Sequence, residues 1–483
     1  MDTLEVIPDP VSLMESMRAI GYTVEAAVAD LIDNSISASA DRVDVLYDSV
    51  GEPFLAILDN GDGMSPDELT NAMRHGSTRP SEQRSPSDLG RFGLGLKTAS
   101  LSQCRQLTVI SKQGRAVHAR RWDLDVVEDT GRWVVVVPDI EELRKMPGFR
   151  ALDALAKGTL VVWRRLDRLT AGASDPQREM KAKLAPLFEH LALVFHRFHE
   201  REQECRAVAI HVNGLRIPRR DPFLSENPFR QPLECQTIQY EKGTVVITPV
   251  ILPPISHLSR DEIALAGGED GLRGTQGFYI YRTRRLVIWG TWFRLVPKEE
   301  FRKLTRVQVD IPNSFDDLWS LDIKKSAAHP PEMIRSRLRD LIPHFASTSH
   351  RTVTYTGRQR RNSNVAPLWV RTEPRHGRFR YDLNPDHPMI MAIAERMEPD
   401  EQAAFGALLQ LTANALPFDM IYADMCSDGR TSSTNEDLEE VVEVARTLHR
   451  VLKLPLEDVL KLDPLCRYPK HHAQVLEKLS DGI

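Results

Sequence analysis

Asp30 and Asn34 stand four residues apart in the stretch ADLIDNS, so on a helix both side chains fall on one face. A carboxylate beside an amide can orient a water and complete the shell of Mg2+, a hard cation that takes oxygen ligands and keeps several waters. A solvated helix face gives the same pattern. In DNGDGM, Asp59 to Met64, a carboxylate ending an apolar strand can accept a hydrogen bond from an exocyclic amine such as that of adenine. Gly61 and Gly63 there let the backbone pass close to a flat base, although Asn-Gly and Asp-Gly are also ordinary turn dipeptides. In GRFGLGLKTAS, Gly90, Gly93 and Gly95 lead directly into a helix, where backbone N–H groups and the positive helix end make an anion site. Lys97 adds a point charge. A polar loop, not a strand, precedes these glycines, so they are not the dinucleotide-binding fingerprint. Gly158-Thr159 adds a hydroxyl at a strand entrance, where it could support a base from below. Singly these patterns are weak; their order and spacing give them weight.

The elements that must hold these residues are legible. A short helix, PVSLMESMRAI, is closed by Gly21. Thr23 is placed to cap a second helix, VEAAVADLIDNSISA, with an apolar stripe of Val24, Ala27, Val28, Leu31 and Ile32. RVDVLYDSV alternates as a half-buried strand, and FLAILDNGDGM reads as a buried strand opening into a glycine turn. Ser65-Pro-Asp-Glu68 is a capping box that starts a helix. From His75 to Gly95 the composition turns to Ser, Arg, Pro and Gly, the mark of a long loop. Strands are expected at QLTVIS, AVHARRW, RWVVVVP and GTLVVWRRL. A helix over KAKLAPLFEHLALVFHRFH then leads to a second set of strands and to the closing helix EMIRSRLRDLIPHF. The expected organisation is an α/β sandwich over 1–170, a second α/β domain over 171–345, an arginine-rich linker over 346–383 and a mostly helical region over 384–483.

A chain of 483 residues with 41% hydrophobic and 27% charged residues holds enough apolar matter for about three folded domains and is not disordered throughout. A net charge of −5 excludes a wholly basic coat protein but not a local basic patch. Its five cysteines lie far apart with no CxxC pair, which argues against a disulfide framework or a zinc knuckle. The start, MDTLEVIPDP, is unlike a signal peptide, and no run approaches the roughly 20 apolar residues of a membrane span. A cytoplasmic location is expected.

Taken together, the four stretches resemble the GHKL, or Bergerat-fold, ATPases: gyrase, the ninety-kilodalton heat-shock chaperone, histidine kinases and MutL. The resemblance implies that ATP and Mg2+ are the cofactors. It implies that Asn34 binds Mg2+, that Asp59 reads the adenine amine and that Gly61, Gly63 and Met64 shape the base pocket. It further implies that His75–Gly95 is a lid over ATP, that Gly90, Gly93, Leu94, Gly95, Lys97 and Thr98 meet the phosphates, and that Thr159 supports Asp59 through water. Asp30 falls where the family's general base stands, usually Glu. One methylene less moves the attacking water closer to the helix, and because geometry governs such catalysis first, slow turnover is expected.

A histidine kinase would carry its phospho-acceptor helix before these elements, so the gyrase, MutL and chaperone branch is expected. IHVNGLRIPRRDPF and GFYIYRTRRLVIWGTW resemble the strands and crossover of that branch's transducer domain. LWSLDIKKS resembles its phosphate-sensing loop, with Lys325, or Lys324, reaching the γ-phosphate; a solvated turn accounts for the two lysines as well. FYIYRTRRLVIWGTW with ADLIDNS is most similar to MORC-type ATPases, in particular bacterial ones associated with restriction and phage defence. The resemblance implies an antiviral role, a homodimer that closes on ATP and an N-terminal segment, residues 1–20, that reaches across to the other protomer. Eight arginines from Arg351 to Arg380, with Tyr355, Trp369 and Phe379 interleaved, suit DNA phosphates and bases, or an acidic protein partner. Two other readings stand beside a DNA-acting ATPase: a nucleotide-gated scaffold that barely hydrolyses, and a chaperone-like machine.

Overall fold

The computed structural model describes residues 3–480 except 5, 20, 75–88, 90–94, 172, 202–205, 241–242, 317–319, 322–327, 354–366, 376–377, 418–419, 422–437, 464 and 468–470. The chain divides into two compact units, 1–354 and 355–483.

In the first unit, strands β1 (Arg42–Asp48), β2 (Phe54–Asp59), β3 (Gln106–Gln113), β4 (Ala116–Asp123), β5 (Lys157–Arg164), β6 (Ala209–Val212) and β7 (Leu215–Arg216) form one sheet, in the order β4-β3-β5-β2-β1-β6-β7. Within this sheet, among the described residues, only β1 and β6 run parallel. Strand periodicity sends alternate residues to opposite faces. Leu55 and Ile57 of β2, with Val161 and Trp163 of β5, enter the larger core beneath the helices α1 (Pro10–Arg18) and α2 (Val24–Ser37). Ala56, Leu58, Leu160 and Val162 face the other way, against Phe149 and Leu152 of the helix Phe149–Ala154. Thr23 caps α2 by accepting from the Ala26 N–H. The capping box forms in full at the start of α3 (Pro66–Met73), and α4 (Gly95–Leu101) lies against α2.

Three expectations change. RWVVVVP is not a strand: Val136 makes one isolated bridge to Arg121 at the edge of β4. The expected continuous helix breaks at Pro186 into Pro176–Leu184 and Leu187–Val194, because proline has no N–H to continue the first piece. And α1 is docked on its own domain. Met14 is buried in the core, and Arg18, 3% exposed, donates to Asp167 at 2.5 Å and to the Cys104 carbonyl at 3.1 Å. The segment before α1 leaves the large apolar side chains Leu4, Val6 and Ile7 in solvent. Trp133 donates its indole N–H to the Pro8 carbonyl, and Trp122 donates to the Met73 carbonyl; the two rings meet edge to face at 6.2 Å.

A second sheet follows: β8 (Gln231–Pro232), β9 (Gln236–Tyr240), β10 (Gly243–Ile251), β11 (Gly277–Arg282), β12 (Arg285–Thr291) and β13 (Thr305–Ile311), ordered β12-β11-β13-β10-β8 with β9 also on β10. One face packs Ile247, Phe278, Ile280 and Val309 against Ile334, Leu338 and Phe345 of the helix Glu332–Val353. The other carries Tyr279 and Tyr281, which with Phe223 pack against Leu193 of the helix Leu187–Val194.

In the second unit, part of the expected linker is a hairpin. Trp369–Arg375 pairs antiparallel with Arg378–Leu383. Among the described residues, the other regular elements of this unit are helices, with Val441, Ala445, Leu448, Val459 and Val475 at its core. Among the described residues, no helix is long and apolar enough to cross a membrane.

Candidate functional site

The site grows out of register. Asp59 ends β2 opposite Thr159 of β5, and Thr159 lies opposite Ser111 of β3. Counting by twos from Ile57, Val161 and Val109 puts all three side chains on the face covered by α2. Asp59 is 5% exposed, and its carboxylate is held from three directions. Oδ1 accepts the Gly61 N–H at 2.9 Å and the Thr159 N–H at 3.2 Å, and Oδ2 accepts the Ser35 hydroxyl at 2.9 Å. Burial raises its pKa above the ordinary carboxylate value, and these three donors oppose that rise. Thr159 reaches Asp59 directly through its backbone N–H, and its hydroxyl lies 3.3 Å from Ser111 Oγ. Ser111 in turn accepts the N–H of half-buried Met64 at 2.7 Å. A methyl group on Gly61 would stand 2.7 Å from the Ala38 carbonyl, so the turn closes on α2 only with glycine there. Gly63 holds φ +69°, the left-handed region glycine enters without cost.

On α2, Asp30 is buried and Asn34, one turn on, is exposed. The Tyr22 hydroxyl donates to Asp30 Oδ2 at 3.3 Å. Opposite stands Arg285, the first residue of β12. Its Nη2 lies 3.7 Å from Asp30 Oδ1, and its Nε lies 2.7 Å from Asp33 Oδ2. His190 faces the same group; burial, then Arg285, push its pKa down to about 4, with Asp30 pulling the other way.

Gly95 opens α4, but Lys97 does not face an open anion site. It is 1% exposed and donates to the Ala72 and Arg74 carbonyls, each at 2.9 Å, at the exit of α3. Burial lowers its pKa to about 8. Thr98 Oγ1 is buried and has no hydrogen-bond partner among the described residues. Gly90, Gly93 and Leu94, most of the His75–Gly95 lid, and Lys324 and Lys325 lie outside the described residues. Leu89, which is described, donates its N–H to Ser37 and gives its carbonyl to Arg282, which also makes a two-pronged pair with Asp316 at 2.7 and 2.6 Å.

The donor set suits an adenine nucleotide. A buried carboxylate with acceptor capacity beyond the three donors described can take an amine, and the unpartnered Thr98 hydroxyl on α4 can take a phosphate oxygen. Sequence reasoning missed Ser35, Ser111, Tyr22 and Arg285. Ser35 had a signal, since it lies four residues after buried Leu31 and so faces inward. Arg285 had none, being 252 positions from Asp33.

Residues 22–159 match the family model described as histidine kinase-, DNA gyrase B- and HSP90-like ATPase. The DNA mismatch repair protein MutL of Herminiimonas arsenicoxydans is 30% identical over 128 residues, 26% of this chain and 21% of that protein. ATPase MORC2B of Mus musculus is 32% identical over 118 residues, 23% of this chain and 11% of that protein. MutL of Azorhizobium caulinodans is 38% identical over 107 residues, 21% of this chain and 17% of that protein. The chain spans about a fifth or less of the length of these relatives. Residues 22–159 thus match a GHKL-type ATPase domain similar to those of MutL and MORC2B, and the match ends at Thr159, inside β5.

Proposed function

We propose that this chain binds ATP with Mg2+ and hydrolyses it slowly, closing as a homodimer that acts on DNA. The observation that carries this is the buried Asp59, fixed by Gly61, Ser35 and Thr159 on the sheet face that α2 covers with Asp30 and Asn34. In this reading Asp59 accepts the adenine amine. Asn34, at the solvent side of α2, holds Mg2+, which would offset phosphate charge. Asp30, oriented by Tyr22, aligns the attacking water. Thr98 and the stretch Gly90–Gly95 take the phosphates, and Lys97 braces the exit of α3 beside them. Lys325 serves as the γ-phosphate contact from the second α/β region, read here as a transducer. DNA as the object acted on is supported by the similarity to MutL, a DNA mismatch repair protein, and by the eight arginines from Arg351 to Arg380. A place in a prokaryotic restriction or phage-defence system rests on the resemblance to bacterial MORC-type ATPases.

A nucleotide-gated scaffold is the second reading, and one observation favours it: Asp30 is short, buried and faced by an arginine. Turnover separates the two. With purified full chain, ATP and Mg2+, wild type turns over, faster or slower with plasmid DNA. Asp30→Asn abolishes turnover and leaves nucleotide affinity within about threefold, since only the water-orienting group is lost. Equal rates in both proteins remove Asp30 from the mechanism; no turnover in either, with tight ATP retention, puts the scaffold first.

A further inference from the structure

The hairpin β11–β12 is built unusually at its tip. Its two turn residues, Thr283 and Arg284, hold φ +49° and +71°, and neither is glycine. A β-branched residue in that region is strained, and such strain persists only where surroundings over-determine it. Here they do. Arg284 donates to the Arg197 and Glu200 carbonyls and lies over the Phe198 ring. Arg282 grips the Leu89 carbonyl and Asp316. Arg285 reaches α2.

Arg285 meets two carboxylates unequally. Asp33, 2% exposed, takes its Nε at 2.7 Å, whereas Asp30 stands at 3.7 Å from Nη2. The guanidinium also donates to the Leu286 carbonyl at 3.1 Å and lies 5.6 Å from the Phe195 ring centre, so its plane is fixed by contacts on several sides. The close pair with Asp33 holds the arginine just beyond direct hydrogen bonding to Asp30. Asp30 thus accepts from Tyr22 on one oxygen and is faced by the fixed guanidinium on the other. A buried ion pair gains little stability over apolar packing of the same volume, so its placement against this one carboxylate calls for another account.

We propose that Arg285 is a positioning residue for hydrolysis: with Asp33 it sets the orientation of Asp30, and so makes turnover conditional on the second sheet being docked against α2. This rests on the ATPase reading above. The pair works as a unit: Asp33 positions the arginine, and the arginine positions Asp30. Nucleotide binding by Asp59 lies elsewhere on the sheet and does not depend on the pair.

The test is steady-state ATP turnover and nucleotide affinity of the full chain, measured with ADP, for wild type, Arg285→Lys, Arg285→Ala, Asp33→Asn and the double variant Arg285→Ala/Asp33→Asn. Misplacing a catalytic group by an ångström costs about 100-fold in rate. Arg285→Ala is therefore expected to lower kcat about 100-fold, with KM and ADP affinity within about threefold. Arg285→Lys, which keeps the charge and loses the fork, falls between it and wild type. The double variant is no slower than the slower single variant, because residues acting as one unit are not additive. Thermal melts of Arg285→Lys and Asp33→Asn keep the comparison valid should Arg285→Ala not fold. Unchanged kcat in the arginine variants of an active wild type, multiplied losses in the double variant, or a rise in KM alone each overturn the proposal. An inactive wild type overturns the hydrolysis reading itself, and this proposal with it.

Discussion

Asp59 is where stability and binding pull against each other. Its burial disfavours the charged carboxylate, and three donors recover only part of that cost. Asparagine keeps an oxygen for the Gly61 and Thr159 N–H groups and removes the charge, but its NH2 cannot accept from an amine. Asp59→Asn should therefore melt at the same or a higher temperature than wild type while binding adenine nucleotides at least about tenfold more weakly, the size of one lost hydrogen bond. A variant that melts higher and still binds ATP as wild type does would take Asp59 out of the base site. Lys97 shows the same principle with the opposite charge. Its ammonium is buried against two carbonyls at the end of α3, which fits a brace for the chain leaving that helix.

At the scale of elements, α2 was the most legible part of the chain. Its cap, its stripe and its Asp30–Asn34 spacing are all local, and local patterns survive into the fold. The strands carrying Asp59 and Thr159 were legible for the same reason. What joins them was not. Ser111 reaches Met64 only because β3 pairs with β5, and Arg285 reaches Asp33 only because two sheets pack together. RWVVVVP shows the reverse failure, where β propensity finds no full-length partner and the run stays irregular. The packing of the two sheets also carries a titratable group. His196, 3% exposed, lies 2.7 Å from the Leu193 carbonyl through Nδ1 and 3.2 Å from the Tyr281 hydroxyl through Nε2. Nδ1 must donate to that carbonyl; burial pushes the pKa down to about 4, and in the neutral ring Nε2 accepts from the Tyr281 hydroxyl. The unfolded chain takes up a proton near pH 6.5 that the folded one refuses, so stability falls as pH drops from about 6.5 towards 4, by up to about 3 kcal/mol. His190 moves the same way. Urea unfolding at pH 7.5 and 5 should show a smaller loss in His196→Gln than in wild type; equal losses would mean that His196 is not the group.

At the scale of the molecule, α1 and the segment before it have separate tasks. Removing α1 strips Met14 from the core, a loss of about 2–5 kcal/mol for that side chain alone. It also leaves Asp167 without Arg18. Removing residues 2–7 takes away the exposed Leu4, Val6 and Ile7 and leaves in place Pro8, which accepts from Trp133, and Asp9, which caps α1. Under the proposed closure, a non-hydrolysable ATP analogue should turn monomers or open dimers into compact dimers in sedimentation and small-angle scattering, and ADP should not. Deleting residues 2–7 should weaken that compaction and spare the melting temperature. Identical assembly and shape with no nucleotide, ADP and the analogue would instead favour the scaffold. The two edge-to-face indoles supply an optical consequence. Trp133 is tied to Pro8, in the segment expected to move, and Trp122 to Met73, in the last turn of α3. Each indole's emission depends on the carbonyl it donates to and on the water around it, and at 6.2 Å the pair exchanges excitation freely. Displacement of Pro8 would open Trp133 to solvent and shift that shared emission to the red, so the chain carries its own unlabelled fluorophore for following the segment in real time.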